Sequence, residues 1–156
     1  MIKLTQQTAQ DFLSRYWVYK LLEVGVDMDD ASYFIITRNY PNGSVSYVVT
    51  EDELNHSPKS DTKPIPTYSL TQLIYKLNEW IQTDEIHGPL EFLKDAPYYM
   101  WFYSNRKDGK QHGEYYKGIA DNPLIAAVRC LINCYKNKEE SPNIKSKVSY
   151  DTYWNK

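Results

Sequence analysis

The chain has 156 residues and a nearly neutral charge balance, with 18 basic against 20 acidic side chains. That length suits one domain with its own core. Proteins that bind double-stranded nucleic acid usually have an excess of basic residues clustered on one face, and this composition shows no such excess. Tyrosine is the departure from average: there are 15, and aromatic residues reach 15%. Because Tyr is amphipathic and loses little rotamer entropy on ordering, it suits both sheet faces and interfaces.

The first residues and the apolar runs predict a cytoplasmic protein with no membrane partner. The start, MIKLTQQTAQDFL, lacks the basic and then long apolar regions of a secretory signal. No run reaches the roughly 18 to 20 apolar residues needed to span a bilayer. Cys130 and Cys134 are spaced i, i+4, which fits neither a disulfide framework nor a zinc site, so buried thiols are predicted.

The first third of the chain predicts a helix and a β-hairpin. An apolar stripe with helical spacing runs from Thr5 to about Val24, with Thr5 as N-cap and Gly25 closing the helix in the left-handed conformation. SYFIIT and VSYVVT are rich in β-branched and aromatic residues and flank the turn signal Pro-Asn-Gly. Residues 32–50 are therefore predicted to form a hairpin.

The next segment, EDELNHSPKSDTKPIP (residues 51–66), is polar and has three prolines. No apolar period runs through it, so it is predicted to be a surface loop. Structureless loops of about this length are unusual inside a compact domain and are often functional or disordered. The disordered-linker interpretation is favoured over a functional loop.

A second helix and a second hairpin follow. Ser69 and Gln72 have the spacing of a capping box, and an apolar stripe continues from there to Ile81. HGPLEFLK predicts a short edge strand or an irregular segment, because proline cannot donate to a ladder. YYMWFYS and HGEYYKG then flank Asp108-Gly109, a hairpin turn signal.

ADNPLIAAVRCLINCY predicts the last helix, with Asn122 as N-cap and Pro123 in its first position. The expected fold is α+β, a small antiparallel sheet of two hairpins with three helices mainly on one face, in the order α-β-β-α-β-β-α. Residues 1–137 are assigned to a single domain. Residues 138–156 form a polar tail with three aromatics that suggest packing back on the body: Tyr150, Tyr153 and Trp154.

No motif of a known chemistry occurs, so no catalytic residue, metal ligand or cofactor is predicted. The familiar phosphate loops and the nucleophile elbow are absent. The three histidines, His56, His87 and His112, stand alone in loop-like segments. DMDD at residues 27–30 does not complete a calcium loop, and a turn with acidic caps explains it more simply.

The aromatic strand YYMWFYS carries the site prediction. Side chains alternate across a strand, so Tyr98, Met100 and Phe102 are expected to face the core. The other row becomes an exposed aromatic patch if helices cover only one face, and such patches usually mark interfaces. Arg106 stands beside this strand, where cations next to stacking rings would suit a nucleotide or single-stranded nucleic acid, although any exposed hairpin tip has a similar composition. The predicted partner- or ligand-binding residues are Tyr99, Trp101, Tyr103, Arg106 and Tyr115.

In its layout the chain resembles a group of short accessory proteins of tailed-phage and prophage genomes. The shared features are IPTYSLTQLIYKLNEW opening a helix, an aromatic YYMWFYS strand, and ADNPLIAAVRCLI opening the last helix. The resemblance extends to about Lys138 and carries no functional residues over. It implies an accessory role in a bacterial host cell, and such proteins often bind host proteins or small signalling molecules.

The leading hypothesis is therefore non-enzymatic binding of a host protein or a small signalling ligand, with counter-defence as one such role. Self-association through the same aromatic row, giving a homo-oligomer or a virion-assembly component, is an open alternative. A small hydrolase or nucleotide-modifying enzyme is another. That enzyme would need His112, Glu114 or the acidic residues 27–30 to converge in a pocket with a perturbed pKa.

Overall fold

The computed structural model describes residues 1–3, 11–56, 60–82, 90–93, 97–104 and 114–138. The chain is an α+β protein with antiparallel sheets, as predicted. Its elements in chain order are β1 Ile2–Lys3, α1 Arg15–Glu23, β2 Tyr33–Tyr40, β3 Gly43–Thr50, α2 Glu51–His56, β4 Ile65–Thr67, α3 Leu70–Gln82, β5 Glu91–Leu93, β6 Tyr98–Ser104, β7 Glu114–Ala120 and α4 Pro123–Lys138.

The first hairpin forms the centre of a four-stranded sheet with the order β1-β3-β2-β4. β2 and β3 pair along their whole length, from Tyr33 opposite Thr50 to Tyr40 opposite Gly43. Two residues close the hairpin, and Gly43 after them takes φ 135°, which side chains other than glycine rarely adopt. The Pro-Asn-Gly signal therefore placed the turn correctly.

The second hairpin belongs to a separate three-stranded sheet, β5-β6-β7. β6 and β7 pair from Tyr98 opposite Ala120 to Ser104 opposite Glu114, while β5 adds three residues on the far edge of β6. The predicted hairpin and the short edge strand are confirmed, but the two hairpins lie in two sheets rather than one. The predicted turn at Asp108-Gly109 lies outside the described residues.

The polar segment 51–66 is not a plain loop, and that prediction is wrong at both of its ends. Its first six residues form α2 directly after β3, and Ile65–Thr67 form β4 on the free side of β2. Thr50 and Glu53 cap α2 reciprocally: Glu53 N–H donates to Thr50 Oγ1 at 3.2 Å, and Thr50 N–H donates to Glu53 Oε1 at 3.1 Å. This capping box starts a helix in a stretch that has no apolar stripe.

Helix α1 is shorter than its apolar stripe predicts. It begins at Arg15, and the predicted cap Thr5 lies outside the described residues. Phe12 instead forms an antiparallel bridge with Ser69, and the Leu13 N–H donates to the Tyr68 carbonyl at 3.0 Å. Phe12 and Leu13 therefore belong to an extended segment. Their spacing also fits the helical stripe, which is why the sequence predicts a longer helix. At the other end Gly25 takes φ 91°, as predicted.

The other two long helices begin where the sequence places them. The Asn122 side chain accepts the Ile125 N–H at 2.8 Å, and Pro123 opens α4. Ser69 Oγ accepts the Gln72 N–H at 3.3 Å before α3. The second half of the predicted capping box is replaced, because the Gln72 amide donates to the Asp30 carbonyl at 2.9 Å instead.

The main core lies between the three-stranded sheet and the helices α1, α3 and α4. Trp80 of α3 packs edge-on against Phe102 and Tyr116 of the sheet, with ring centroids 5.8 and 5.1 Å apart. Cys130 and Cys134 of α4 are buried free thiols, as predicted. A smaller cluster of Phe12, Ile35 and Val48 packs on the four-stranded sheet.

Gly118 sets how closely α4 lies against the sheet. A Cβ at this position would overlap the Ala126 carbonyl oxygen and the Cys130 amide nitrogen, both backbone atoms of α4. Backbone cannot swing aside as a side chain can, so only glycine allows this approach. Hydrogen bonds from Arg129 Nη1 to the Ile119 carbonyl at 2.6 Å and from the Asn133 amide to the Lys117 carbonyl fasten α4 beside it.

Gly118→Ala is expected to destabilise the fold by about 2–4 kcal/mol, because α4 must move off the sheet to admit one methyl group. Gly25→Ala is the matched control: its Cβ would meet no atom within 4 Å, and only its positive φ opposes the change, at about 1 kcal/mol. Urea denaturation of both variants measures the difference. An equal loss for the two would contradict the close backbone contact.

Candidate functional site

The three-stranded sheet has one buried face and one open face. On the buried side Met100, Phe102 and Tyr116 are at most 2% exposed. Tyr98 shares that side and packs against the core, so the prediction that Tyr98, Met100 and Phe102 face the helices is confirmed. We call the opposite side the outer face; the described residues on it are Glu91, Leu93, Tyr99, Trp101, Lys117 and Ile119.

The register arranges the outer face in rows across the strands. Leu93, Tyr99 and Ile119 stand opposite one another in one row. In the next row Trp101 lies between Glu91 of β5 and Lys117 of β7. An indole is thus flanked by an exposed carboxylate on one side and an exposed ammonium on the other.

A shallow depression of about 320 Å³ opens on the outer face. The Tyr99 and Trp101 rings meet edge to face within it, with centroids 6.2 Å apart and planes at 84°. Both rings are half-buried, while Leu93 beside them is 51% exposed. Aromatic and aliphatic groups are accessible from solvent beside an exposed Lys, and aromatic residues are enriched at protein interfaces, whose rims are polar. The described residues that line the depression are Leu93, Tyr99, Trp101 and Lys117.

Two of the five predicted site residues, Tyr99 and Trp101, are thereby brought together. Tyr103 and Tyr115 are direct partners in the β6–β7 register, but their side chains lie outside the described residues, as does all of Arg106. The sequence analysis missed Leu93 and Lys117. Both residues follow from the alternation of side chains in EFL and EYYKG, but only if the pairing register of these strands with the strand of Trp101 is known.

The acidic residues 27–30 form a structural network instead of a pocket. The Tyr68 hydroxyl donates to the Asp30 carboxylate at 2.5 Å and lies 3.1 Å from the Asp27 carbonyl oxygen. Lys76 of α3 pairs with the other Asp30 oxygen at 2.9 Å, and the Asp29 N–H donates to the Asp27 side chain at 2.8 Å. The network therefore ties the loop after α1 to α3.

The network shifts two pKa values in opposite directions. Burial raises the pKa of Tyr68 far above its ordinary value, and the Asp30 charge adds to that rise. Burial also opposes ionisation of Asp30, but hydrogen bonds from Tyr68 and Lys76 outweigh it and lower the pKa of Asp30. Tyr68 is fully buried, so its hydroxyl serves the fold and is not presented to a substrate.

The enzyme hypothesis also depends on groups that the structure does not describe. These are His87, His112 and the side chain of Glu114. His56 stands at the end of α2, where its ring contacts the Asp52 carbonyl at 2.8 Å. Across the described ranges no three His, Cys, Asp or Glu side chains cluster as metal ligands would. In the same ranges no helix is long and apolar enough to cross a bilayer.

Comparison with known proteins gives no relative: no family model matches the chain, no curated protein is similar to it, and no solved structure matches its fold. The outer face must therefore be interpreted from its own geometry and chemistry.

Asp30→Asn is expected to lower stability at pH 7 by about 1–2 kcal/mol, since it removes a charge-assisted bond. The pKa of Asp30 is depressed in the folded state, so its contribution is complete above the unfolded value of about 4 and is lost as pH falls through the folded value. Thermal unfolding of wild type and variant should converge at low pH. Asp29→Asn, in the same loop, is the control, and a gap that persists at low pH would contradict the account.

Proposed function

We propose that the protein acts by non-enzymatic binding and that the outer face of the β5-β6-β7 sheet is its docking surface for another protein. The observation that carries the proposal is the open depression beside Trp101. Its aromatic floor is accessible, whereas Met100, Phe102 and Tyr116 on the opposite side of the same sheet are buried. Apolar groups gathered on one accessible face gain free energy when a partner covers them.

The chemistry of the surface resembles the centre and rim of a protein interface. Trp and Tyr supply large contact areas at low entropic cost and dominate binding energy in such places. Glu91 and Lys117 flank Trp101 in its row and would form the polar rim that fixes register with a partner. The sheet beneath is held by α4, so the surface is preorganised and binding would cost little ordering.

A protein partner fits the depression better than a small signalling ligand. Small-molecule sites occupy about 300–1,000 Å³ and bury most of the ligand. The depression reaches only the lower end of that range, at about 320 Å³, and it opens on the face of a sheet. A ligand lying on Trp101 would keep one side in solvent, whereas a protein surface would cover the depression and its rim together.

The phage-like layout of the chain supports a proposal for where this binding takes place. A phage or prophage accessory protein would meet its partner in the cytoplasm of a bacterial host, and counter-defence is one role that such binding could serve. A second copy of the chain is the competing occupant, because the same aromatic row could be buried in a homo-oligomer. The two occupants differ in mass, which makes them separable by experiment.

Trp101→Ala is expected to reduce the partner captured from a host lysate by about 30-fold, because central Trp residues commonly contribute 2 kcal/mol or more at interfaces. Stability should fall by about 1–3 kcal/mol, because the ring is half-buried and its truncation removes part of its packing. Affinity capture with quantitative mass spectrometry, including native spectra for small molecules, measures the loss. Urea denaturation of the same variant checks its fold.

Tyr75→Ala is the matched control, since Tyr75 is an exposed aromatic on α3 with 67% of its surface accessible. That variant should capture as much partner as wild type. Size exclusion with light scattering tests the competing occupant. A wild-type dimer that becomes a monomer on Trp101→Ala would contradict a foreign partner and assign the outer face to self-association.

A further inference from the structure

A second candidate surface lies between α1 and the chain that leads into β4. It is a groove of about 400 Å³, separate from the outer face of the three-stranded sheet. One wall is a face of α1, where Arg15, Tyr19 and Leu22 are spaced i, i+4, i+7. Val18 and Leu21 occupy the opposite, buried side of the same helix.

The groove is apolar along its walls and accessible from solvent. Tyr19 and Leu22 are 54% and 45% exposed, among the largest exposed apolar side chains in the described ranges. The facing wall carries Ile65 between two prolines. Pro66 has no N–H, so this part of the edge strand is a poor template for adding another strand. An occupant would therefore be recognised through side chains.

Arg15 is the half-buried cation among the residues that line the groove. Its guanidinium is half-buried, and Nη2 donates to the hydroxyls of Thr37 and Ser46, the second at 3.4 Å. The Nε atom is buried without a hydrogen-bond partner. No carboxylate of the described chain pairs with Arg15, although charges withdrawn from water are ordinarily compensated by an opposite charge.

Both hydrogen bonds that Arg15 donates to described residues come from Nη2. Lys63 lies exposed in the facing wall and adds a second cation. Two cations set among apolar walls favour a carboxylate attached to hydrocarbon. Phosphate sites usually also recruit several backbone N–H groups, and the prolines of this wall supply none.

We propose that the groove between α1 and β4 binds an acidic segment of a partner protein, with a carboxylate on Arg15 and Lys63 and a neighbouring apolar side chain against Tyr19 and Leu22. This site is independent of the outer face, and the two proposals fail separately. Capture through Trp101 tests the first, whereas the resonances of Arg15 and Tyr19 report on the second.

The test is an NMR titration of the full chain with two capped peptides, Ac-Gly-Leu-Glu-Phe-Gly-NH2 and the same peptide with Gln in place of Glu. The Glu peptide should shift the Arg15 side-chain and Tyr19 resonances. The Gln peptide should bind at least about tenfold more weakly, since it lacks the charge-assisted hydrogen bond. Equal affinity of the two peptides, or no shift at millimolar peptide, would overturn the proposal.

Variants locate the binding. Lys63→Gln and Leu22→Ala change exposed side chains and should each weaken the Glu peptide about threefold or more. Arg15→Gln should abolish the difference between the peptides, and if that variant does not fold, the other two still decide. Tyr75→Ala on α3 should leave the affinity unchanged. Two outcomes would replace the proposal: inorganic phosphate displacing the peptide at equal concentration, or Lys63-dependent binding to phosphatidylserine vesicles without peptide binding.

Discussion

The backbone contact between Gly118 and α4 is the constraint on which the rest of the structure depends. A residue without a Cβ lets the helix lie directly on β7, where carbonyl oxygens of the strand accept bonds from Arg129 and Asn133. Once α4 occupies that side, Met100 and Phe102 of β6 are buried. Tyr99 and Trp101 are then left on the open side, because neighbours along a strand face opposite ways.

The loop after α1 secures the same core from its other end. Tyr68 and Lys76 converge on Asp30, which joins the loop to α3, and Trp80 of α3 rests against the sheet. Both anchors lie on the helical side of the three-stranded sheet. The outer face can therefore meet a partner without any rearrangement of the core, and the acidic residues are used by the fold rather than by chemistry.

Sequence alone predicted the features that depend on neighbouring residues. Pro123 after Asn122, the turn before Gly43 and the alternation in YYMWFYS each have a local physical cause, and each is observed. The same reasoning failed where long-range pairing decides. Phe12 belongs to a bridge with Ser69, and residues 65–67 become a strand only because β2 offers them an edge.

The candidate sites also contain some residues that local sequence predicts and others that only long-range pairing brings in. The strand containing Tyr99 and Trp101 could be found from its aromatic density. The two-residue repeat of a strand then places both side chains on the same face. Leu93 and Lys117 come from other strands and enter the site through register alone. The groove at Arg15 was invisible in the sequence, because its walls come from a helix and from a segment interpreted as a loop.

The most direct measurement replaces Trp101 with a photo-cross-linking phenylalanine derivative in cells of the proposed bacterial host and determines the mass of any adduct. The account predicts an adduct to a different protein at position 101 and none when the same group is placed at Tyr75, which is exposed on another surface. Adducts of twice the mass of this chain, or no adduct at position 101, would contradict it.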